Sequence, residues 1–293
     1  MHRRLFLSAI SCVPALALCA TPATAADVAL KKSTKSKPAS RNRRVGIAFG
    51  GGSLHGIAHL GVVKALAEKG VNFQFIAGTS VGAIVGVLVA AQLSYSEIDK
   101  IARRIEWPGV MSLSWSGKGL MQNAKLRSLI ESAVGGRKLE ELPIPFGAIA
   151  TDVATGERVL IRRGSASTAV DASCSIPVMF EPVKIDGRVL IDGGLTEPVP
   201  VIAVREMGAD IVIGVDVAYR PNEGQVQGLS GVAFQAMQIM TNALINEQIG
   251  RADIAIRMNL HRLVGKENSH EQLIAAGYAA AMNAWPKLAT MLS

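Results

Sequence analysis

The sequence has too few cysteines and histidines to indicate a disulfide framework or a metal centre. Of its 293 residues, three are cysteine and five are histidine. Cys12 and Cys19 fall in an apolar N-terminal segment, so Cys174 is left without an internal disulfide partner. His55 and His59 have the spacing of a zinc-binding helix, but its glutamate is absent and no third ligand is evident. We interpret them as a packed or hydrogen-bonded pair, and we predict no metal and no cofactor.

The main body of the chain also lacks an excess charge of either sign. The formal net charge is +8, of which Arg3 and Arg4 contribute +2 and residues 27–44 contribute +6, so residues 45–293 are neutral. A neutral body without a basic stripe or a recognisable reading motif argues against nucleic acid as a partner. Residues 26–44 are predicted to form a flexible linker or, alternatively, a polybasic segment that contacts anionic lipid head groups. The basic residues of this segment are Lys31, Lys32, Lys35, Lys37, Arg41, Arg43 and Arg44.

The N-terminus has the pattern of a secretory signal peptide over residues 1–25. A basic start is followed by an apolar run at residues 5–20 and by the small-x-small pattern of Ala23, Thr24 and Ala25. The apolar run is too short for a spanning helix. We therefore expect a periplasmic location. A lipoprotein anchored through Cys19 is the alternative, although Leu18 before it is a poor fit to that processing signal.

Residues 45–293 show the alternation of elements that is typical of one α/β domain. Apolar runs at residues 45–49 and 73–77 are each followed by a glycine-containing turn and then by a helical pattern. This alternation predicts a mainly parallel, doubly wound sheet. Asp186 and Gly187 lie between two short apolar runs and predict a hairpin. An irregular apolar stretch at residues 107–121 is predicted either to fold onto the core or to form a mobile rim over the site.

The sequence Gly78-Thr79-Ser80-Val81-Gly82 joins the second predicted strand to an apolar helix. Gly-x-Ser-x-Gly is the spacing of a nucleophile elbow, in which a sharp strand–turn–helix connection exposes a serine hydroxyl above the sheet edge. Gly78 and Gly82 remove Cβ atoms where the turn is crowded and can also accept positive φ. We predict that Ser80 is a nucleophile.

The loop that begins with Gly50, Gly51 and Gly52 has two interpretations. A dinucleotide fingerprint would need a third glycine at another interval and an acidic residue after the second strand, and both are missing. In the other interpretation the bare glycine amides converge at a helix N-terminus and form an oxyanion hole. Since both loops follow parallel strands, this loop and Ser80 are expected at the same sheet edge.

The serine needs a base, and the sequence offers histidines and one well-framed aspartate. His261 and His270 come late enough in the chain for a Ser–His–Asp order, but neither lies in a convincing loop after a strand. Asp192 ends a predicted hairpin strand, is followed by Gly193 and Gly194, and has apolar neighbours that would raise its pKa. An Asp-Gly pair alone is equally typical of a tight turn.

Three parts of the sequence together resemble the signature blocks of the bacterial patatin-like phospholipases. They are the glycine loop, the elbow and the sequence Asp192-Gly193-Gly194. The resemblance is close over residues 45–215 and loose beyond them. It implies a three-layer α/β/α sandwich that hydrolyses lipid acyl esters through a Ser–Asp dyad. In that mechanism Ser80 is the nucleophile, Asp192 is the general base, and the amides of Gly50, Gly51 and Gly52 form the oxyanion hole.

One position departs from the family pattern, because the glycine loop usually carries Arg or Lys where this chain has His55. This puts the role of a fixed cation there in doubt. The alternatives to the dyad enzyme are a catalytically idle or nucleotide-binding module and an esterase that uses His261.

Overall fold

The computed structural model describes residues 43–105, 124–177, 179–218, 228–260, 263 and 269–293. All of them belong to the compact unit Asn42–Ser293. The predicted signal peptide, most of the predicted linker and the stretch at residues 107–121 lie outside the described residues. No helix within the described residues has the length and hydropathy that a membrane span requires.

Eight strands and eight α-helices are described. The strands are β1 (Val45–Phe49), β2 (Phe75–Thr79), β3 (Phe146–Asp152), β4 (Arg158–Ile161), β5 (Val183–Ile185), β6 (Arg188–Asp192), β7 (Ile211–Asp216) and β8 (Ile254–Arg257). The helices are α1 (Ala58–Glu68), α2 (Val81–Ala90), α3 (Tyr95–Arg104), α4 (Ala124–Val134), α5 (Ala166–Ser173), α6 (Val201–Met207), α7 (Gly228–Ile249) and α8 (Ser269–Leu292). Short 3-10 turns follow β1 at Ser53–Ile57 and β6 at Gly193–Leu195.

The strands form one mixed sheet in the order β5-β6-β3-β2-β1-β7-β8, with β4 paired to β3. The five strands from β3 to β8 in this order are parallel. Strands β4 and β6 run antiparallel to β3, and β5 runs antiparallel to β6. The mainly parallel sheet was predicted, but the antiparallel pairing of β6 with β3 was not. It matters for the site, because Thr79 pairs with Ile149 and Asp192 pairs with the next residue, Ala150. Because β4 pairs with the other side of β3, Asp192 lies on the same side of β3 as Ser80, next to the end of β2.

Helices cover both faces of the sheet, which confirms the predicted α/β/α sandwich. Alternate residues of β1 divide between the two faces, as the period of a strand requires. Ile47 and Phe49 enter the larger core, which contains α1, α2 and α8, and Ala48 enters the smaller core under α6 and α7. Gly46 lets α6 approach closely, since a Cβ there would lie 2.3 Å from a methyl group of Val204.

Arg43 and Arg44 contact the folded domain, although both were predicted to belong to the flexible linker. The Arg44 guanidinium lies 3.1 Å from the carboxylate of Asp210, and its backbone N–H donates to the same carboxylate at 2.9 Å. Arg43 donates to the Met291 carbonyl at 3.2 Å. The domain therefore includes residues before the predicted boundary at residue 45, and the charge of Arg44 is paired with an acid.

Candidate active site

Ser80 occupies a sharp turn between β2 and α2. Its φ of 54° and ψ of −126° are unusual for a residue with a side chain, and such geometry costs about 1–3 kcal/mol. A Cβ at Gly78 would lie 2.3 Å from the Gly82 carbonyl oxygen, and a Cβ at Gly82 would lie 2.1 Å from that of Phe49. Neither glycine has a positive φ. The glycines are thus needed for close approach, as predicted, while the positive φ lies on Ser80 itself.

The end of α5 supports the strained turn. The Ser80 N–H donates to the Ser173 hydroxyl at 2.9 Å, and the Ser173 side chain is fully buried. The next residue, Cys174, is also buried, and this burial raises the pKa of its thiol well above the usual value. The nearby Asp192 carboxylate raises that pKa further, and a hydrogen bond with Ser80 lowers it. The contact of Ser173 with Ser80 joins residues 93 positions apart and was not predicted.

Asp192 is fixed by its backbone as firmly as by its side chain. Its N–H donates to the Ser175 carbonyl at 2.9 Å, and its carbonyl accepts from the Thr151 hydroxyl at 3.0 Å. Its Oδ1 accepts the N–H of Gly194 at 2.7 Å. A Cβ at Gly193 would lie 2.3 Å from the Ile149 carbonyl oxygen, so this glycine lets the loop pack against β3. Gly193 is therefore required by packing, beyond the demands of a tight turn.

The carboxyl group of Asp192 is buried next to the Ser80 hydroxyl. Burial raises its pKa to about 6, and hydrogen bonds from the Gly194 amide and the Ser80 hydroxyl oppose that rise. A carboxylate with such a pKa is ionised above pH 6 and is a stronger base than an exposed aspartate. Ser80 and Asp192, predicted from separate motifs, are thus brought side by side in one cleft. Their catalytic roles stay predictions.

The glycine loop lies beside Ser80, but its amides differ from the expectation of three free donors. The Gly50 N–H donates to the Val215 carbonyl at 3.0 Å, and the Gly51 N–H donates to the Pro198 carbonyl at 2.9 Å. Within the described residues no acceptor bonds the Gly52 N–H. In this conformation only Gly52, of the three glycines, offers an uncommitted amide for an oxyanion.

His55 and His59 hold the glycine loop in place. His59 Nε2 lies 2.8 Å from the Gly50 carbonyl oxygen, and His55 Nδ1 lies 3.1 Å from that of Val217, which follows β7. Burial lowers the pKa of His59 to about 4, so its ring is neutral at physiological pH. Both histidines are therefore hydrogen-bonded. They do not bond each other, because each bonds a backbone carbonyl in a different segment. The described residues contain no cluster of three or more His, Cys, Asp or Glu suited to a metal ion.

A partly buried ion pair connects the loop that follows Asp192 (the base loop, residues 193–197) to the elbow. The Thr79 hydroxyl donates to the Glu197 carbonyl at 2.7 Å, and the buried Glu197 carboxylate accepts from Arg158 at 2.8 Å and from the Ala203 N–H at 3.0 Å. Burial raises the pKa of Glu197, and the Arg158 guanidinium opposes that rise. Sequence reasoning missed this group, because no local pattern links β2, β4 and the residues after Asp192.

A narrow cleft opens at Ser80 and Asp192 and has mainly apolar walls. Met237 of α7 packs against a small buried cluster formed by Ile176, Met179 and Phe180. The residues that line the cleft are Gly51, Gly52, Ser53, Ser80, Ile176, Pro177, Asp192, Gly194, Leu195, Pro198, Ala218, Met237, Gln238 and Thr241. An acyl chain beside Ser80 would contact this apolar wall.

Of the two histidines considered as alternative bases, His270 belongs to the described residues and pairs with an acid outside the cleft. His270 lies at the start of α8, and its Nε2 is 2.9 Å from the carboxylate of Asp99 on α3. It therefore pairs with another acid, away from Ser80. His261 lies outside the described residues.

The sequence profile of the patatin-like phospholipases matches residues 47–205, which is more than half of the chain. The chain therefore belongs to the patatin-like phospholipase family. Its glycine loop, elbow and Asp192 all fall inside the matched range.

Curated relatives extend this finding. An uncharacterised NTE family protein of Mycobacterium tuberculosis is 36% identical over 181 residues, which cover 61% of this chain and 50% of the relative. The patatin-like phospholipase domain-containing protein 7 of Rattus norvegicus is 32% identical over 60% of this chain and 14% of its own length. The lysophospholipase NTE1 of Coccidioides immitis is 30% identical over 67% of this chain and 13% of its own length. The matched region thus spans half or less of each of these relatives.

Among solved structures, VipD from Legionella pneumophila has a similar fold. The TM-score is 0.52 at 15% sequence identity, and the match covers 83% of this chain and 67% of VipD. At this identity the similarity concerns the fold alone.

Proposed function

We propose that this protein is a serine lipid acyl hydrolase, which cleaves fatty-acyl esters as a phospholipase A, lysophospholipase or carboxylesterase. The observation that carries the proposal is the juxtaposition of Ser80 and the buried Asp192 in the lining of one mainly apolar cleft. Membership of the patatin-like phospholipase family supports the same class of activity.

The reaction proposed for this site proceeds through an acyl-enzyme. Ser80 Oγ attacks the ester carbonyl while its proton passes to Asp192, and the oxyanion that forms accepts a hydrogen bond from the Gly52 amide. Collapse of this intermediate breaks the ester bond, and the leaving alcohol takes the proton from Asp192. Water then attacks the acyl-enzyme with Asp192 again as the base, which releases the fatty acid and restores the Ser80 hydroxyl.

The elbow and the base loop support this reaction by fixing both partners before substrate binds. Ser80 is held by Ser173, and Asp192 is held by hydrogen bonds with Ser175, Thr151 and Gly194 and by the close packing of Gly193. Positioning of this kind lowers a barrier, because little reorganisation is needed when charge develops.

We also propose, from the sequence pattern, that residues 1–25 direct secretion and that the chain acts in the periplasm. Residues 26–41 would add a weak electrostatic contact with anionic lipid. Deletion of residues 27–41 tests this contact: binding to anionic vesicles should fall after the deletion, and unchanged binding would contradict the idea.

The activity is tested with a fluorophosphonate probe and a panel of acyl substrates. We expect the probe to label the wild-type protein, and Ser80→Ala to remove both labelling and acyl release while the circular dichroism spectrum is unchanged. Acyl release should be compared on phosphatidylcholine, lysophosphatidylcholine and a short nitrophenyl ester, since apolar pockets discriminate chain length weakly. A folded wild-type protein that neither labels nor releases acid from any of these would contradict the proposal.

A further inference from the structure

Helix α7 is apolar on its exposed side as well as on its inner side, where Ile245 and Ile249 enter the smaller core. Val232, Ile239 and Met240 are 55%, 56% and 61% exposed. On the inner side, Gln248 is buried, accepts from the Val199 N–H at 3.3 Å and donates to the Thr196 carbonyl at 3.0 Å. Gln238 and Thr241 on the same helix line the cleft. A surface helix in water normally turns its polar side outward, so this arrangement needs an explanation.

The exposed apolar residues form one continuous stripe. They recur at intervals of three and four residues, so they lie on one helix face. The members of this outer face are Val232, Ala236, Ile239, Met240 and Ala243, and all are exposed. No charged residue occurs between Gly228 and Asn246. Contiguous exposed apolar surface of this kind marks an interaction site.

The outer face belongs to the same helix that forms one wall of the cleft. Met237 packs on the apolar cluster beside Ser80, and the Thr241 hydroxyl lies 3.5 Å from the Gly194 carbonyl oxygen. The helix is therefore joined to the loop that carries Asp192. Because a helix is about 10 Å wide, whatever covers the outer face lies about one helix width from the cleft.

We propose that the outer face of α7 docks on the surface of a phospholipid bilayer, with the helix lying in the interface. This inference rests on the proposed function, since a bilayer is the source of acyl lipid that such an enzyme would use. Interfacial helices bury their apolar face by about 5–10 Å, which would bring the cleft beside the head groups. A stripe without charges fits a zwitterionic surface, and it differs in this respect from the basic segment before the domain.

The test is flotation of the full chain with phosphatidylcholine vesicles at low and high salt. We expect the wild-type protein to bind at both salt concentrations and Ile239→Ser/Met240→Ser to bind at least tenfold more weakly. Val232→Ser, about two turns from this pair on the same face, should give a smaller loss. All three side chains are exposed, so the thermal unfolding midpoint of each variant should stay within a few degrees of wild type.

Leu292→Ser is the matched control. Leu292 is a large apolar residue that is 38% exposed at the end of α8. Its neighbour Met291 accepts a hydrogen bond from Arg43 just before β1, so it lies near the amino edge of the sheet, whereas Ser80 lies at the carboxyl edge. We expect Leu292→Ser to bind vesicles as the wild-type protein does.

Three results would overturn the proposal. The first is a wild-type protein that does not bind neutral vesicles, and the second is binding only to anionic vesicles that disappears at high salt, which would assign the contact to the basic segment. The third is a wild-type dimer that Ile239→Ser/Met240→Ser converts to a monomer, because a second copy would then cover the face. Ser80→Ala separates this inference from the proposed function: it should bind vesicles fully while releasing no acid.

Discussion

The elbow and the glycine loop are two glycine-rich turns at the ends of the neighbouring strands β2 and β1, and they differ at Gly51, the glycine that lies beside Ser80. In the elbow, a Cβ at Gly78 or Gly82 would collide with backbone atoms at 2.3 or 2.1 Å. In the glycine loop, a Cβ at Gly50 or Gly52 would also lie 2.7 or 2.4 Å from a backbone carbonyl oxygen. A Cβ at Gly51, however, would lie 3.4 Å from the Ser80 Cβ, which is ordinary contact. The elbow glycines are thus required by the fold, whereas Gly51 leaves space beside the nucleophile.

The two turns also differ in the acceptors that their backbone N–H groups bond. The Ser80 N–H bonds a side chain, Ser173, while the amides of Gly50 and Gly51 bond backbone carbonyls. A glycine motif therefore indicates that backbone approaches closely, but it does not tell which amides stay free for a substrate.

The largest expected effect is a difference in the free energy of unfolding between alanine variants of Gly82 and Gly51. Gly82→Ala should lower the free energy of unfolding by about 3 kcal/mol or more, because its methyl group would overlap the Phe49 carbonyl. Gly51→Ala should change it by less than about 0.5 kcal/mol, since the added methyl group meets no backbone at short range. Urea denaturation of both variants measures the contrast, and equal losses would show that the distinction between Gly82 and Gly51 is wrong.

A second prediction extends the comparison to the loop of Asp192. Burial raises the pKa of Asp192 from 3.8 to about 6, so the folded state binds a proton more tightly than the unfolded state between these values. Ionised Asp192 therefore costs stability above pH 6, by up to about 3 kcal/mol. Asp192→Asn should raise the unfolding free energy at pH 8 and lose this gain below pH 4. A variant that is less stable than wild type at pH 8 would contradict the burial argument.

A third prediction concerns the support of the elbow. Ser173→Ala removes the acceptor of the buried Ser80 N–H, which should cost about 1–3 kcal/mol of stability and lower kcat about tenfold with KM unchanged. Ser175→Ala is the control, because its buried hydroxyl bonds only the Asp171 carbonyl. It should cost similar stability and leave kcat near wild type. Equal kcat values for the two variants would leave Ser173 without a positioning role.

The smallest predicted effect is a dependence of rate on pH. With a pKa of about 6, Asp192 is a base only above that pH, so kcat/KM should be level from pH 7 to 8 and about tenfold lower at pH 5. The burial of His59 keeps its ring neutral throughout this range, so the support of the glycine loop should not contribute to the profile. A midpoint near 4 would indicate an exposed, unperturbed carboxylate.

Local patterns predicted the parts of the site that depend on neighbours in the sequence. The elbow, the hairpin that carries Asp192 and the order of strands and helices all follow from short-range hydrophobic periodicity and turn residues. The place of β6 beside β3 did not, since an antiparallel insertion into a parallel sheet leaves no local signal. For the same reason, the contacts of Ser80 with Ser173 and of Thr79 with Glu197 join residues about 100 positions apart and were missed.

We propose that Asp192, and not a histidine, is the general base for Ser80. The direct measurement is acyl-ester hydrolysis at pH 8 by Asp192→Asn and His261→Ala, with folding checked by circular dichroism. We expect Asp192→Asn to lose activity by at least a thousandfold and His261→Ala to stay within a few-fold of wild type. Activity that persists in Asp192→Asn and disappears in His261→Ala would contradict this proposal and assign the site to a Ser–His–Asp triad.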